Sequence, residues 1–178
     1  MKSRALIIRG HQGVGKTTLS QYIAEDHAFC RISKDDIYVP VIEAYGDHKA
    51  ASNIAYIAMR SILAANPNSG TNFVLDAPFN GTLGAEELMS DLTELGFAAK
   101  SVLVLCSDRD SWNKRLQARI GQTSPNHLLT SLDEIISYRG SLEVEPFAGE
   151  LVVDTAPGSA PSKVLAQQCV NYLAGSEG

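Results

Sequence analysis

The sequence predicts an α/β fold in which a five-stranded parallel sheet is flanked by helices. Three observations carry that expectation. Short β-rich runs alternate with longer stretches of helical periodicity along the 178 residues. The β-rich runs, such as ALII at 5–8 and FVL at 73–75, are solidly apolar rather than alternating, as in strands buried on both faces. Glycine and proline clusters punctuate the pattern, among them NPNSG (66–70), Gly96 and GSAPS (158–162).

Taken in order, strands are expected at 4–9, 28–33, 72–76, 99–105 and 151–154. The stretch 16–26 places Leu19, Tyr22 and Ile23 on one helical face. A second helix, 50–65, carries Ile54, Ile57, Ala58 and Leu63, and a third, 84–95, carries Leu88, Leu92 and Leu95 before Gly96. Residues 108–120 align Trp112, Leu116 and Ile120 at four-residue spacing. Further helices are expected at 126–139 and 161–174. Parallel strands joined by helices imply right-handed crossovers. No internal repeat, low-complexity segment or linker interrupts the chain, so a single domain over 1–178 is expected.

Composition narrows the partners. Hydrophobic residues make up 44% and charged residues 20%, with a net charge of −5, an ordinary globular balance. The acidic balance argues against a nucleic-acid footprint and against an anionic membrane surface. No apolar run approaches the length of a membrane span. Cys30, Cys106 and Cys169 are far apart and fit no metal spacing, and are expected as buried, inert thiols. Their odd number and the absence of an apolar leader point to a reducing cytoplasm.

The most informative stretch is GHQGVGKTT (10–18), which follows the first apolar run and opens the first helix. It satisfies G-x-x-x-x-G-K-[ST] in full. Glycine lets backbone N–H groups turn inward toward phosphate oxygens with no Cβ in the way. The helix that starts there adds its free N–H groups and the positive end of its dipole. Gly10, Gln12, Gly13, Val14, Gly15, Lys16, Thr17 and Thr18 are therefore the candidate nucleotide-binding residues. Lys16 is expected to reach the β- and γ-phosphates, and the Thr17 hydroxyl to ligate Mg²⁺. His11 is expected to face solvent, with no role.

Four further positions could carry chemistry. Ser33-Lys34-Asp35-Asp36 lies at the carboxyl end of the second strand, where parallel sheets bind ligands. A carboxylate there could take the proton of an attacking hydroxyl, which favours Asp35. Ser33 and Asp36 also have the spacing of a capping box for the next helix. Asp76, at the end of the third strand, is placed like a metal-supporting carboxylate. Arg115 and Arg119 are four apart on the 108–120 pattern and share a face offset from its apolar stripe. Followed by GQTSP (121–125), they could close on a triphosphate and neutralise transition-state charge.

With GHQGVGKTT, SKDDI, VLDAPF, the R-x-x-x-R pair and VVDT (152–155) in this order, the chain resembles the AAA-type predicted kinases. These small P-loop kinases are related to polynucleotide 5′-kinase domains, zeta-toxin-like kinases and the chloramphenicol, gluconate and shikimate kinases. The resemblance implies a three-layer P-loop NTPase fold with strand order 2-3-1-4-5 and a small helical lid, here about 115–130. It maps the base onto Asp35 and the lid arginine onto Arg119, with Arg115 a further candidate. It places Thr155 near the adenine of ATP. Many relatives carry arginine two residues after the acidic pair, where this chain has Tyr38. An anionic group anchored at that point would lose its partner, which lowers the case for a polynucleotide acceptor.

The expectation is thus phosphoryl transfer from Mg-ATP to a hydroxyl of a small molecule. Residues 36–65 and 77–90 would form the acceptor pocket, and their mix of Tyr38, Tyr45, Tyr56, Phe79 and Asn80 points to a partly aromatic, neutral-to-polar ligand. The alternative is a nucleotide-binding switch or slow ATPase with no acceptor, for which Asp35 would be superfluous. Asn113-Lys114-Arg115-Leu116 lacks the final acid of a guanine-reading motif, which disfavours a GTPase. No Glu follows Asp76, which disfavours a motor-type ATPase.

Overall fold

The computed structural model describes residues 2–78, 82–120 and 129–175. Strands β1 (Arg4–Arg9), β2 (Cys30–Ser33), β3 (Asn72–Asp76), β4 (Ala98–Leu105) and β5 (Leu151–Asp154) form one sheet of order β2-β3-β1-β4-β5. Every pairing is parallel, with Leu6 opposite Val74 on one side and Lys100 on the other. All five carboxyl ends therefore lie along one edge, and the candidate residues cluster there.

Alternation within β1 divides the core. Leu6 and Ile8 face one layer, formed with Leu19 and Ile23 of α1 (Lys16–His27), Trp112 and Leu116 of α5 (Arg109–Gln117), and Leu165 and Cys169 of α7 (Ser162–Ala174). Ala5 and Ile7 face the other, formed with Met59 and Leu63 of α3 (His48–Ala64) and Leu88 and Leu92 of α4 (Thr82–Glu94). The remaining helices are α2 (Lys34–Tyr45) and α6 (Leu132–Arg139). The three-layer α/β expectation and its strand order are met.

Several local expectations are corrected. In α3 the buried positions are Ala51, Ala55, Met59 and Leu63, whereas Ile54 and Ile57 are exposed. The two alanines let α3 approach α2 closely and pack beneath Tyr38 and Ile42. Helix α5 stops at Gln117, because Arg119 and Ile120 donate to carbonyls three residues back, and Ile120 is exposed. Ser33 caps α2 by accepting the amide of Asp35, but Asp36 does not close a capping box. Its carboxylate pairs instead with Arg31 at 2.9 Å. Cys30 is exposed because β2 is an edge strand, while Cys106 and Cys169 are buried as expected. Burial raises the Cys169 thiol to about 12. No described helix is long and apolar enough to cross a membrane.

Candidate active site

The loop between β1 and α1 is held from behind. Gly10 has φ 136°, and a Cβ there would lie 2.2 Å from the Val104 carbonyl oxygen. Gly13 (φ 78°) lies against α5, where a Cβ would meet Leu116 Cδ2 at 2.8 Å. Only glycine permits both the left-handed backbone and the close approach. Side chains from three places then fix three of the loop's carbonyls. Lys16 Nζ donates to His11 O (2.8 Å), Trp112 Nε1 to Gln12 O (2.7 Å), and the Thr155 hydroxyl to Val14 O (2.6 Å). In a trans peptide the following N–H points opposite to its carbonyl. Tethering the carbonyls of Gln12 and Val14 outward therefore turns the amides of Gly13 and Gly15 inward. Helix α1 begins at Gly15 with no side-chain cap, so its first amides are free for a ligand.

These groups open onto a cavity of about 690 Å³, which the loop shares with Lys16, Thr17, Thr18, Lys34, Asp35, Asp76 and both candidate arginines. Lys16 is 8% exposed, and burial pushes its ammonium below the usual lysine range while the charges of Asp76 and Asp35 oppose that shift. Asp35 is shifted the other way. Burial raises its carboxyl, repulsion from Asp76 adds to the rise, and Lys16 and Lys34 oppose it. A carboxylate whose pKa is raised in this way is a stronger base than an ordinary one.

Asp76 is 4% exposed and shares the cavity with Thr17. Its Oδ2 accepts from Ser20 Oγ and from Arg31, each at 3.3 Å. Arg31 is the residue that sequence reading missed. From β2 it reaches Ser20, Asp36 and Asp76 together, which fixes the metal-candidate carboxylate and draws Asp36 away from Asp35. An arginine within a four-residue strand carries no motif signal, and only the pairing of β2 with β3 brings the two side chains together. The donors available to Mg²⁺, one hydroxyl and one carboxylate, are hard oxygens of the kind that ion takes with water and phosphate.

Arg115 and Arg119 both line the same cavity, though on different supports. Arg115 is tied to the end of β5, its terminal nitrogens donating to Thr155 Oγ1 (2.9 Å) and Thr155 O (2.6 Å). Arg119 stands beyond the end of α5, close enough to Lys16 to lower its pKa. Half of the expected lid, 115–130, falls on 121–128, outside the described residues, as do Phe79 and Asn80.

His11 corrects the expectation of a solvent-facing side chain. It is 5% exposed and packs against Trp112 with ring centroids 5.7 Å apart. Burial first, then the nearby charges of Arg139 and Lys16, lower its pKa to about 4. The imidazole is thus neutral at physiological pH, which avoids a second buried cation beside Lys16. A second cavity of about 800 Å³ adjoins the first at Gln12, Lys34 and Pro78. Tyr38 and Tyr56 line it, whereas Tyr45 is exposed elsewhere. Tyr38 is buried, with its hydroxyl 2.5 Å from His48 Nδ1.

Comparison with known proteins agrees with this fold. No curated protein sequence is significantly similar to the chain. Among solved structures, the chain is similar to a candidate kinase from Chloroflexus aurantiacus j-10-fl, with a TM-score of 0.78 and 22% identity over 97% of this chain and 99% of that one. It is similar to a gluconokinase from Sinorhizobium meliloti 1021, with a TM-score of 0.58 and 18% identity over 96% and 91% of the two chains. It is also similar to the Mycobacterium tuberculosis APS kinase solved in complex with AMPPNP and APS, with a TM-score of 0.65 and 11% identity over 97% and 98%. At these identities the likeness is one of fold. Residues 6–135, which include the loop, both carboxylates and both arginines, match the AAA domain family. The chain belongs to that family, and its fold is that of the small P-loop kinases.

Proposed function

We propose that the protein is an ATP- and Mg²⁺-dependent kinase that transfers the γ-phosphoryl group to a hydroxyl of a small molecule. The observation that carries this reading is the meeting of the phosphate loop, Lys16 and the base-like Asp35 in one cavity that opens into a second. The loop amides and Lys16 bind the triphosphate, and Thr155 with Arg115 closes the opposite side. The acceptor hydroxyl lies against Asp35. Its oxygen forms a bond to the γ-phosphorus as the bond to the bridging oxygen breaks, ADP leaves, and the hydroxyl proton passes to the Asp35 carboxylate. Arg119 lies against the transferring group and offsets its charge. Thr17 and Asp76 would hold Mg²⁺, which when bound neutralises phosphate charge. The base contributes roughly 10²–10⁴-fold, and orientation and charge neutralisation contribute the remainder.

The test is a mass-spectrometric screen of hydroxyl-bearing metabolites with Mg-ATP, run beside Asp35→Asn and Lys16→Ala. One acceptor is expected to gain a phosphoryl group with the native chain. Asp35→Asn is expected to bind ATP normally and transfer at least about 100-fold more slowly, and Lys16→Ala to lose both binding and turnover. Transfer by Asp35→Asn at the native rate refutes the base. Release of inorganic phosphate with no acceptor labelled marks an ATPase instead.

A further inference from the structure

The second cavity has a charge pattern that the phosphoryl-transfer chemistry does not explain. Tyr38, Tyr56 and Ile57 supply its apolar walls, and Lys34, Arg60 and Arg139 bring cations into it against one carboxylate, Glu87. The chain as a whole is acidic, at −5, so this convergence does not follow from bulk composition. Arg60 is already paired with Asp91 at 3.2 Å. Lys34 and Arg139 are different: among the described residues, no carboxylate forms an ion pair with either.

The placement of Lys34 runs against local preference. Lys34 is the first residue of α2, where the helix dipole disfavours a cation. Its ammonium lies over the rings of Tyr38 (4.9 Å) and Tyr56 (5.2 Å), which hold it at the cavity wall. Burial lowers the Lys34 pKa, the charge of Asp35 opposes that shift, and Arg139 adds to it, so the two cations feel each other. Arg139 ends α6 and lines the second cavity but not the first. It is exposed there, and so placed to meet a ligand of the second cavity rather than the triphosphate. Lys34 borders both cavities and stands beside Asp35 in sequence. The anionic anchor that Tyr38 replaces is thus resupplied, with the Tyr38 ring as the shelf for a neighbouring ammonium.

We propose that the acceptor carries an anionic group, a carboxylate, phosphate or sulfate, held between Lys34 and Arg139 while its hydroxyl lies against Asp35. This replaces the neutral-to-polar acceptor expected from the sequence, and it rests on the kinase reading. A bidentate guanidinium and a desolvated ammonium recognise such an oxyanion through charge-assisted hydrogen bonds. They also fix the acceptor's orientation relative to the phosphate loop.

The experiment uses a metabolite extract of the native cells, separated on a strong anion exchanger into retained and flow-through fractions. Each is incubated with the full-length protein and γ-labelled ATP. Label is expected in compounds from the retained fraction. With the labelled acceptor purified, Lys34→Met and Arg139→Met should each raise its KM at least tenfold, with a much smaller change in the KM for ATP. Arg139→Lys should recover part of the loss. Label arising at a comparable rate in the flow-through overturns the anion requirement and leaves the kinase reading standing, as does an acceptor KM within twofold of native in both Met variants. Label in neither fraction, with ATP bound, refutes the kinase reading and the anion site with it.

Discussion

Replacing Glu150 with alanine tests how the carboxyl end of β1 is anchored. The Arg9 side chain is fully buried and that of Glu150 is 1% exposed. The carboxylate accepts Arg9 Nε at 2.7 Å, the second Arg9 nitrogen at 2.5 Å, Ser101 Oγ at 2.6 Å and the Phe147 amide at 3.0 Å. Alanine removes all of these and leaves a guanidinium in the interior with the Glu145 carbonyl and the Phe147 ring as its remaining contacts. Removing one partner of a buried pair costs about 3–5 kcal/mol, because the other charge stays desolvated. For a domain of this size each kcal/mol lowers Tm by about 2–4 °C, so a loss of roughly 6–20 °C is expected. Urea unfolding should show a lower midpoint with an unchanged slope. The double variant Arg9→Met with Glu150→Leu removes both charges and should recover most of the loss. It should remain somewhat below native stability, because Ser101 and Phe147 still lack their acceptor. A Glu150→Ala protein within about 1 kcal/mol of native, or a double variant no more stable than the single, would refute the reasoning.

Asp35→Asn should raise Tm at pH 7. The native carboxyl keeps its proton to a higher pH when folded than unfolded, so its ionisation above 3.8 lowers stability. The gain should vanish as the pH falls below 3.8, and a constant difference across pH in calorimetric melts would contradict the shift. The acid limb of the activity profile should lie above 3.8 for the same reason. His11, lowered from 6.5 to about 4, behaves oppositely. The unfolded chain takes up the proton first as pH falls, so stability should drop by up to about 3 kcal/mol between pH 6.5 and 4. Urea titrations of His11→Asn should show a flatter dependence in that window, and an identical slope would remove His11 as its source. Trp112→Phe deletes one loop tether worth about 0.5–1.5 kcal/mol, so ATP affinity should fall about two- to tenfold, and Thr155→Val, which also removes the hydroxyl that Arg115 donates to, should lose at least as much. Unchanged affinity in a fluorescent-nucleotide titration would show that the tethers do not orient the amides.

What the chain made legible was what it encodes locally. The buried strands are continuous apolar runs, and the phosphate loop is a contiguous string whose glycines have direct steric reasons. Ser33 was recognisable as a cap because capping acts over a few residues. Strand order came from the family resemblance rather than from periodicity. What stayed hidden was created by packing between distant segments. Arg9 reads as a charge that ends a strand, yet it is buried because residues 141–150 fold over it. His11 sits in a loop, and only Trp112, about a hundred residues away, shows that it is enclosed. Arg31 has no motif and matters only where β2 and β3 align. Lys34 read as the flank of an acidic pair until Arg139, at the end of another helix, was brought to the same wall.

The outward ties on the phosphate loop make its anion affinity a property of distant parts of the chain. A fragment ending before β5 would keep every residue from Gly10 to Thr18 and lose the hydroxyl that turns the Val14 peptide. Such a fragment would pass any motif search and still bind triphosphate weakly. Damage that loosens α5 or the end of β5 would then register first as a failure to retain nucleotide, before the protein as a whole unfolds.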